Sequence, residues 1–273
     1  MKKRIFRALT VLLILFFLIM NQGLIQAQEE SDDIVIGKSL IFHSNVLDED
    51  RNVHVCLPDG YSSSDRNYPV FYMLYNGASD FHFNSGVVAG LSRMRIIPRM
   101  ILVAVDLGDA RRDLTPTESD DYGPTSGGAD NFLKFMKDEL IPFIAKNYRT
   151  APQRLFWSHS IGGLFGLYAL LKEPDVFQSV LVSSPWMVYD QDQKYILKNT
   201  EAYLKKRNKQ NNFLYICVGN EPTLIPEIEE FLRILEKAKP EGLTWKYMKM
   251  PEENHETILA RSLIESLRAF GSN

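Results

Sequence analysis

The chain has 273 residues, of which 31 are basic and 34 acidic, so its formal net charge is −3. Hydrophobic residues make up 45% and charged residues 24%, a balance typical of a globular protein. Without a basic excess to neutralise phosphates, we expect no nucleic-acid partner. Two cysteines exclude a disulfide-dense scaffold and a four-thiolate zinc site.

The N-terminal residues have the pattern of a secretory signal peptide. Four basic residues precede an uncharged apolar run, Ala8–Met20, which is too short to cross a bilayer. Ala27 then offers a cleavage site. We expect residues 1–27 to be removed on export to the periplasm or the cell exterior. The mature chain would then have no stable membrane insertion. An uncleaved membrane anchor is the alternative.

The two cysteines lie inside apolar, strand-like runs. Cys56 belongs to Val53–Leu57 and Cys217 to Phe213–Val218. This placement favours buried free thiols. Pairing of the two is the alternative if they face each other in the fold.

Segments typical of strands and helices alternate along the mature chain. Two β-rich segments, Ile34–Phe42 and Arg51–Leu57, flank a polar turn and predict an antiparallel hairpin. Further strands are expected at Val70–Tyr75, Met100–Asp106, Arg154–Trp157, Ser179–Ser183, Phe213–Val218 and Thr244–Met250. Helices are expected at Asn131–Lys146 (with Pro142 as a kink or last-turn residue), Ile161–Leu171, Gln193–Lys206, Pro226–Ala238 and His255–Phe270. The alternation predicts one α/β domain, residues 28–273, with a central, mostly parallel sheet and helices on both faces.

The segment around Ser160 joins a predicted strand to a predicted helix by a tight turn. A serine there projects its hydroxyl from the sheet edge, and the helix N-terminus favours the developing negative charge. Crowding at such a turn requires small residues two positions before and after the serine, here Ser158 and Gly162. The motif is S-x-S-x-G where G-x-S-x-G is usual. Ser160 is therefore the candidate nucleophile; a glycine-rich packing turn without chemistry is the alternative.

A serine nucleophile needs a base and a carboxylate that orients the base. His255 follows the last predicted strand and is the only histidine C-terminal to Ser160. Glu221 follows the preceding strand, where the acid of such a triad belongs. Asp190 and Glu227 are rival acids, and a serine–histidine pair without an acid is a further alternative.

The oxyanion of an acyl-transfer intermediate needs two preorganised N–H donors. The amide of Ile161, directly after the candidate nucleophile, is expected to be one. The second is expected from Gly77 or Ala78, in the loop after the third strand, where a glycine lets the backbone approach a substrate. His82 in the same loop and the aromatic Trp186 are candidates for substrate contact. No metal or organic cofactor is implied.

These residues resemble the "Putative esterase" branch of the α/β-hydrolases, and the siderophore-esterase-like hydrolases within it most of all. The branch also includes esterase D, feruloyl and acetyl-xylan esterases, and mycolyltransferases. The similar segments are Tyr68–Gly77, Arg112–Pro116, Ser126–Phe135, Ser160–Tyr168, Ser183–Trp186 and Asn254–His255. The resemblance extends from about Ile34 to Phe270. It implies the α/β-hydrolase fold and a small-molecule or glycan ester as substrate.

Three positions depart from the pattern of that branch. Asn76 stands where Asp is usual, Ser158 where Gly is usual, and Ala110 replaces one arginine of an R-x-R-D loop. In that loop, Arg112 is a candidate for substrate binding. The alternative is that Arg112 and Asp113 form an ion pair that pins the loop across the top of the sheet.

The sequence therefore predicts an exported serine hydrolase that cleaves carboxylic esters through an acyl-enzyme. Acyl transfer to a sugar or another alcohol is one alternative. The other alternative is a binding protein that keeps the fold without catalysis, because Ser158 and Asn76 depart from the family pattern at the predicted site.

Overall fold

In the part of the chain that the structure describes, eight strands form one mixed sheet in the order β1-β2-β4-β3-β5-β6-β7-β8. The strands are β1 (Lys38–Ser44), β2 (Glu49–Cys56), β3 (Tyr68–Tyr75), β4 (Ile101–Asp106), β5 (Thr150–His159), β6 (Ser179–Ser183), β7 (Asn212–Val218) and β8 (Leu243–Lys249). β1 and β2 form the predicted hairpin, and β2 pairs antiparallel with β4. From β4 to β8 all neighbouring strands are parallel. The predicted fold class, an α/β fold with a mostly parallel sheet, is confirmed.

The computed structural model describes residues 34–120, 124–190 and 194–273. The predicted signal peptide, residues 1–27, lies outside the described residues, and so does Gln193, the first residue of one predicted helix. From Ile36 to Asn273 the described chain is one unit. Within these residues, no helix combines the length and the apolar character needed to span a membrane.

Helices cover both faces of the sheet, as predicted. They are α1 (Ala78–Arg93), α2 (Ala110–Leu114), α3 (Ala129–Lys134), α4 (Ile141–Asn147), α5 (Ser160–Lys172), α6 (Tyr195–Lys206), α7 (Ile225–Ala238) and α8 (Ile258–Gly271). One core cluster joins α1 and α8 to one face of the sheet. On the other face, a larger cluster contains the helices from α3 through α7. The strands between them are apolar on both sides, which is why Met100–Asp106 is a continuous apolar run.

Helix α1 is not among the predicted elements. Its inward positions include Phe81, Val88 and Leu91, at helical spacing. Between them the buried face carries Asn84 and Ser85, so the apolar stripe is interrupted. The helix also contains two glycines, which lower helix propensity. The packing of α1 on the sheet outweighs these local preferences.

The predicted helix Asn131–Lys146 is divided by a π-helical turn, Phe135–Leu140. Pro142 lies at the start of α4, directly after this turn. Proline lacks an N–H group and its ring would clash with the carbonyl four residues earlier. The backbone widens there, and the Ile141 amide donates to the carbonyl of Met136, five residues back. The proline therefore shapes the middle of this segment and does not mark its end.

The two cysteines are too far apart to pair. Cys56 is on β2 and Cys217 on β7, and four strands of the sheet lie between them. At about 4.8 Å between neighbouring strands, the separation is about 24 Å. Both thiols are free, as expected, and a disulfide between them is excluded. Burial is confirmed for Cys217, whereas Cys56 is only partly buried.

Candidate active site

Ser160 occupies a strained turn at the carboxyl end of β5. The strand ends at His159 and α5 begins at Ser160, whose φ of 56° lies in the left-handed region. That conformation costs an L-residue about 1–2 kcal/mol and is typical of an exposed nucleophile between strand and helix. A Cβ on Gly162 would lie 2.0 Å from Oγ of Ser158. The turn accommodates serine at the usual glycine position because Gly162 carries no side chain.

The side chains of Ser160, His255 and Glu221 lie in one hydrogen-bonded row. Ser160 Oγ is 2.9 Å from Nε2 of His255, and His255 Nδ1 contacts Oε1 of Glu221. The last helix is predicted to begin at His255. This prediction is wrong, because α8 begins at Ile258 and His255 lies in the turn before it. The Asn254 carboxamide oxygen accepts from the amides of residues 256 and 257, at 3.0 and 2.9 Å, and so shapes this turn.

The two rival acids lie elsewhere. Asp190 is buried and its Oδ2 accepts from the Tyr195 amide at 2.9 Å. Glu227 faces Nζ of Lys194 at 3.7 Å. Of the three carboxylates predicted as candidates, the structure brings Glu221 into contact with His255.

Glu221 is nearly buried and fully engaged by donors. Its Oε2 accepts from the Gly219 amide at 3.0 Å and from the Ser184 hydroxyl. Burial by itself raises the pKa of Glu221, but the hydrogen bonds from Ser184, His255 and the Gly219 amide bring that pKa below its ordinary value. The carboxylate is therefore ionised at neutral pH, as an acceptor of three donors must be.

His159 packs directly against the candidate base, a contact that the sequence analysis missed. The ring centroids of His159 and His255 are 4.5 Å apart, and Nδ1 of His159 is 3.4 Å from the Ser183 hydroxyl. Burial, followed by the neighbouring His255, lowers the pKa of His159 to about 4. His159 is thus neutral at pH 7 and places no second positive charge beside His255.

The low pKa of His159 predicts an acid-sensitive fold. Between pH 6.5 and pH 4 the unfolded state binds a proton at this histidine that the folded state does not, so stability falls as pH falls through that window. Allowing for partial exposure, we expect His159→Gln to remove about 2 kcal/mol of the decrease in unfolding free energy between pH 7 and pH 4.5. Urea unfolding of both proteins at the two pH values measures this difference. Equal pH dependence in both would contradict it.

The predicted oxyanion loop lies beside the turn at Ser160. β3 and β5 are parallel neighbours in the sheet, so the residues after Tyr75 and after His159 meet at the same edge. Gly77, with φ 94°, precedes the first residue of α1, Ala78. Asp80 accepts from the Asn76 amide at 3.0 Å and fixes the entry to the helix. First-turn amides have no partner within their own helix, so the amide of Ala78 is a donor at the edge where Ser160 lies.

The predicted substrate contacts have different surroundings. Trp186 is half-buried, its ring meets that of His255 edge-on at 5.6 Å, and its amide donates to the Ser160 carbonyl at 3.0 Å. His82 is exposed on α1, with its ring 6.4 Å from that of Phe81. Trp186 therefore borders the row of three side chains.

Arg112 belongs to an ion-pair network. Its guanidinium donates to Asp113 Oδ1 at 2.6 Å and to the two carboxylate oxygens of Glu49 at 2.7 and 3.1 Å. Asp113 also pairs with the buried Arg51. This geometry favours the alternative in which Arg112 and Asp113 pin the loop after β4, because the charge of Arg112 is already matched by two carboxylates. Among the described residues, no three His, Cys, Asp or Glu side chains form a group suited to a metal ion.

Comparison with known proteins places this chain among esterases. A family model described as "Putative esterase" matches residues 44–258. The ferri-bacillibactin esterase BesA of Bacillus subtilis is 28% identical over 153 residues, which are 53% of this chain and 52% of that protein. A siderophore triacetylfusarinine C esterase of Aspergillus fumigatus is 36% identical over 85 residues, 29% of this chain and 28% of that protein. The chain thus spans about half the length of BesA.

A solved structure matches over most of both chains. The IroE-like serine hydrolase from Shewanella oneidensis is 27% identical, with a TM-score of 0.78, and the match covers 86% of this chain and 80% of that one. The mixed sheet with helices on both faces is accordingly that of an α/β-hydrolase.

Proposed function

Because the chain belongs to the "Putative esterase" family, we propose that it is an exported serine esterase that cleaves carboxylic esters through an acyl-enzyme. The observation that carries the proposal is the row formed by Ser160, His255 and Glu221, with 2.9 Å between the hydroxyl and the imidazole. Export rests on the basic and apolar pattern of residues 1–27.

Each residue of the row has a defined role in the proposed reaction. His255 Nε2 accepts the proton of Ser160 as Oγ attacks the ester carbonyl carbon. Glu221 accepts from Nδ1–H, which keeps Nε2 free to receive that proton and stabilises the imidazolium that forms. His255 then gives the proton to the departing alcohol. A water molecule, deprotonated by the same nitrogen, then attacks the carbonyl carbon of the acyl-enzyme. The bond from that carbon to Ser160 Oγ breaks, the acid is released, and Oγ takes the proton back from His255.

Backbone amides stabilise the negative charge that develops on the carbonyl oxygen. The donors in the proposed reaction are the N–H of Ile161, at the start of α5, and the N–H of Ala78 or Gly77, at the start of α1. Both helices direct the positive ends of their dipoles at this edge of the sheet. Trp186, which borders His255, lies where an acyl or alcohol group would contact it.

We propose siderophore esters as the first substrates to examine. The Aspergillus relative is by name an esterase of the siderophore triacetylfusarinine C, and BesA is by name an esterase of ferri-bacillibactin. A panel that compares a siderophore triester with feruloylated and acetylated glycans and with p-nitrophenyl butyrate would rank the substrate classes by kcat/KM.

Hydrolysis and covalent labelling test the proposed reaction. The purified protein is expected to hydrolyse p-nitrophenyl acetate and to be labelled by a fluorophosphonate at Ser160, with both lost in Ser160→Ala and in His255→Ala. Ser266→Ala is a matched control, because Ser266 is buried in α8 and its hydroxyl donates to the Leu263 carbonyl at 2.9 Å. Hydrolysis at the wild-type rate by Ser160→Ala would overturn the proposal.

A further inference from the structure

The carboxylate of Glu221 is held at both of its oxygens. Oε1 contacts Nδ1 of His255, while Oε2 accepts two hydrogen bonds, from the Gly219 amide at 3.0 Å and from the Ser184 hydroxyl. A carboxylate anchored at its far oxygen cannot rotate away from its partner without breaking those bonds. The donors at Oε2 therefore determine the direction in which Oε1 points.

Ser184 reaches Glu221 by means of an unusual backbone conformation. It follows β6 directly, and its amide donates to the Cys217 carbonyl of β7 at 2.8 Å, next to the last pair of the two strands, Ser183 with Cys217. Its φ of 44° is left-handed, and the residue is fully buried. Glycine would adopt this φ with less strain. A serine held there and buried against a carboxylate indicates that the hydroxyl itself is needed.

The loops that carry Glu221 and His255 are in main-chain contact. The Asn220 amide donates to the Glu253 carbonyl at 2.7 Å, and a Cβ on Gly219 would lie 2.7 Å from that same oxygen. These contacts set the separation of the two loops. They leave the rotation of the Glu221 carboxylate to the donors at its two oxygens, which are the Gly219 amide, His255 and Ser184. Of these three donors, Ser184 comes from outside both loops.

We infer that Ser184 is a positioning residue: its hydroxyl holds Oε2 of Glu221 so that Oε1 stays on His255 Nδ1. Ser184 thereby acts on Ser160 through two other side chains, those of Glu221 and His255, and does not contact the substrate. The inference rests on the proposed function, in which the orientation of His255 governs proton transfer from Ser160.

Two substitutions separate the hydroxyl from the backbone conformation. Ser184→Ala and Ser184→Gly both remove the donor, but glycine suits the left-handed φ and alanine does not. We expect both variants to lower kcat about 10- to 100-fold on p-nitrophenyl butyrate, the range for a lost hydrogen bond to a charged group. KM is expected to stay near the wild-type value, because Ser184 is buried against Glu221 and does not contact the substrate. A role limited to the backbone would instead leave Ser184→Gly fully active.

Ser44 supplies a matched control. It is a fully buried serine whose hydroxyl donates to Oε2 of Glu139 at 2.5 Å. It lies at the end of β1, four strands from β5 in the sheet, so Ser44→Ala is expected to keep wild-type kcat and KM. Thermal unfolding of all variants establishes that each is folded when its activity is measured.

Proton NMR tests the inference without reference to turnover. The hydrogen bond between Nδ1 of His255 and Glu221 is expected to give a far-downfield resonance in the wild type that is shifted or lost in both Ser184 variants. Absence of hydrolysis and labelling in the wild type would refute the proposed function while leaving this readout valid. Wild-type kcat in Ser184→Gly, or an unchanged resonance in both variants, would overturn the inference.

Discussion

Replacing Glu221 by glutamine is expected to lower kcat about 10⁴-fold while the protein stays folded. A carboxylate accepts from Nδ1–H of His255. If the NH₂ group of the glutamine faces Nδ1 instead, the imidazole carries its proton on Nε2, and Nε2 cannot accept the proton of Ser160. If the glutamine turns over, its NH₂ group faces the N–H of Gly219, which is itself a donor. Neither orientation keeps Nε2 of His255 free to accept a proton while the Gly219 amide stays hydrogen-bonded.

The two rival carboxylates are the controls for this substitution. Asp190→Asn and Glu227→Gln remove the same charge from residues that contact Tyr195 and Lys194, away from His255. Their kcat values on p-nitrophenyl butyrate are expected to stay within about threefold of wild type, since neither group meets the reacting atoms. A loss in Asp190→Asn equal to that in Glu221→Gln would contradict the assignment of Glu221 as the acid.

The architecture is predictable because its signals are local. Strands covered on both faces contain continuous apolar runs, as in β4 and β7. The hairpin of β1 and β2 shows as two β-rich segments around a polar turn. The turn at Ser160 is likewise a strand, a serine and a helix in direct succession. His255 follows from chain order, since no other histidine comes after Ser160.

The remaining features depend on contacts between distant residues. The position of Glu221 directly after a predicted strand favours it over Asp190 but does not exclude Asp190. The anchoring of Glu221 by Ser184 spans 37 positions and needs a left-handed φ. The contact of His159 with His255 joins two different strand ends in the same way. Helix α1 is missed because polar residues interrupt its buried face, and only the completed sheet supplies the surface on which it packs.

A second large effect is expected on stability, at the ion pair of Arg51 and Asp113. The two side chains are 2% and 3% exposed, and Arg51 also donates to the Asp106 carbonyl at 3.3 Å. Asp113→Ala would leave the guanidinium buried with one remaining carboxylate partner, Glu49, which is partly exposed. Breaking a buried pair on one side costs about 3–5 kcal/mol of the free energy of unfolding. Urea denaturation at pH 7 measures this loss.

The surroundings of Arg51 leave it no route to water. A Cβ on Gly108 would lie 1.8 Å from one guanidinium nitrogen, so the backbone of the loop after β4 closes directly over the charge. Glu241→Ala is the matched control, because Glu241 pairs with Lys209 at 2.8 Å where the two side chains are 69% and 77% exposed. An exposed pair contributes about 0–1 kcal/mol. If Asp113→Ala were no more destabilising than Glu241→Ala, Asp113 would not compensate the charge of Arg51. The loop that contains Arg112 would then be held by its other contacts.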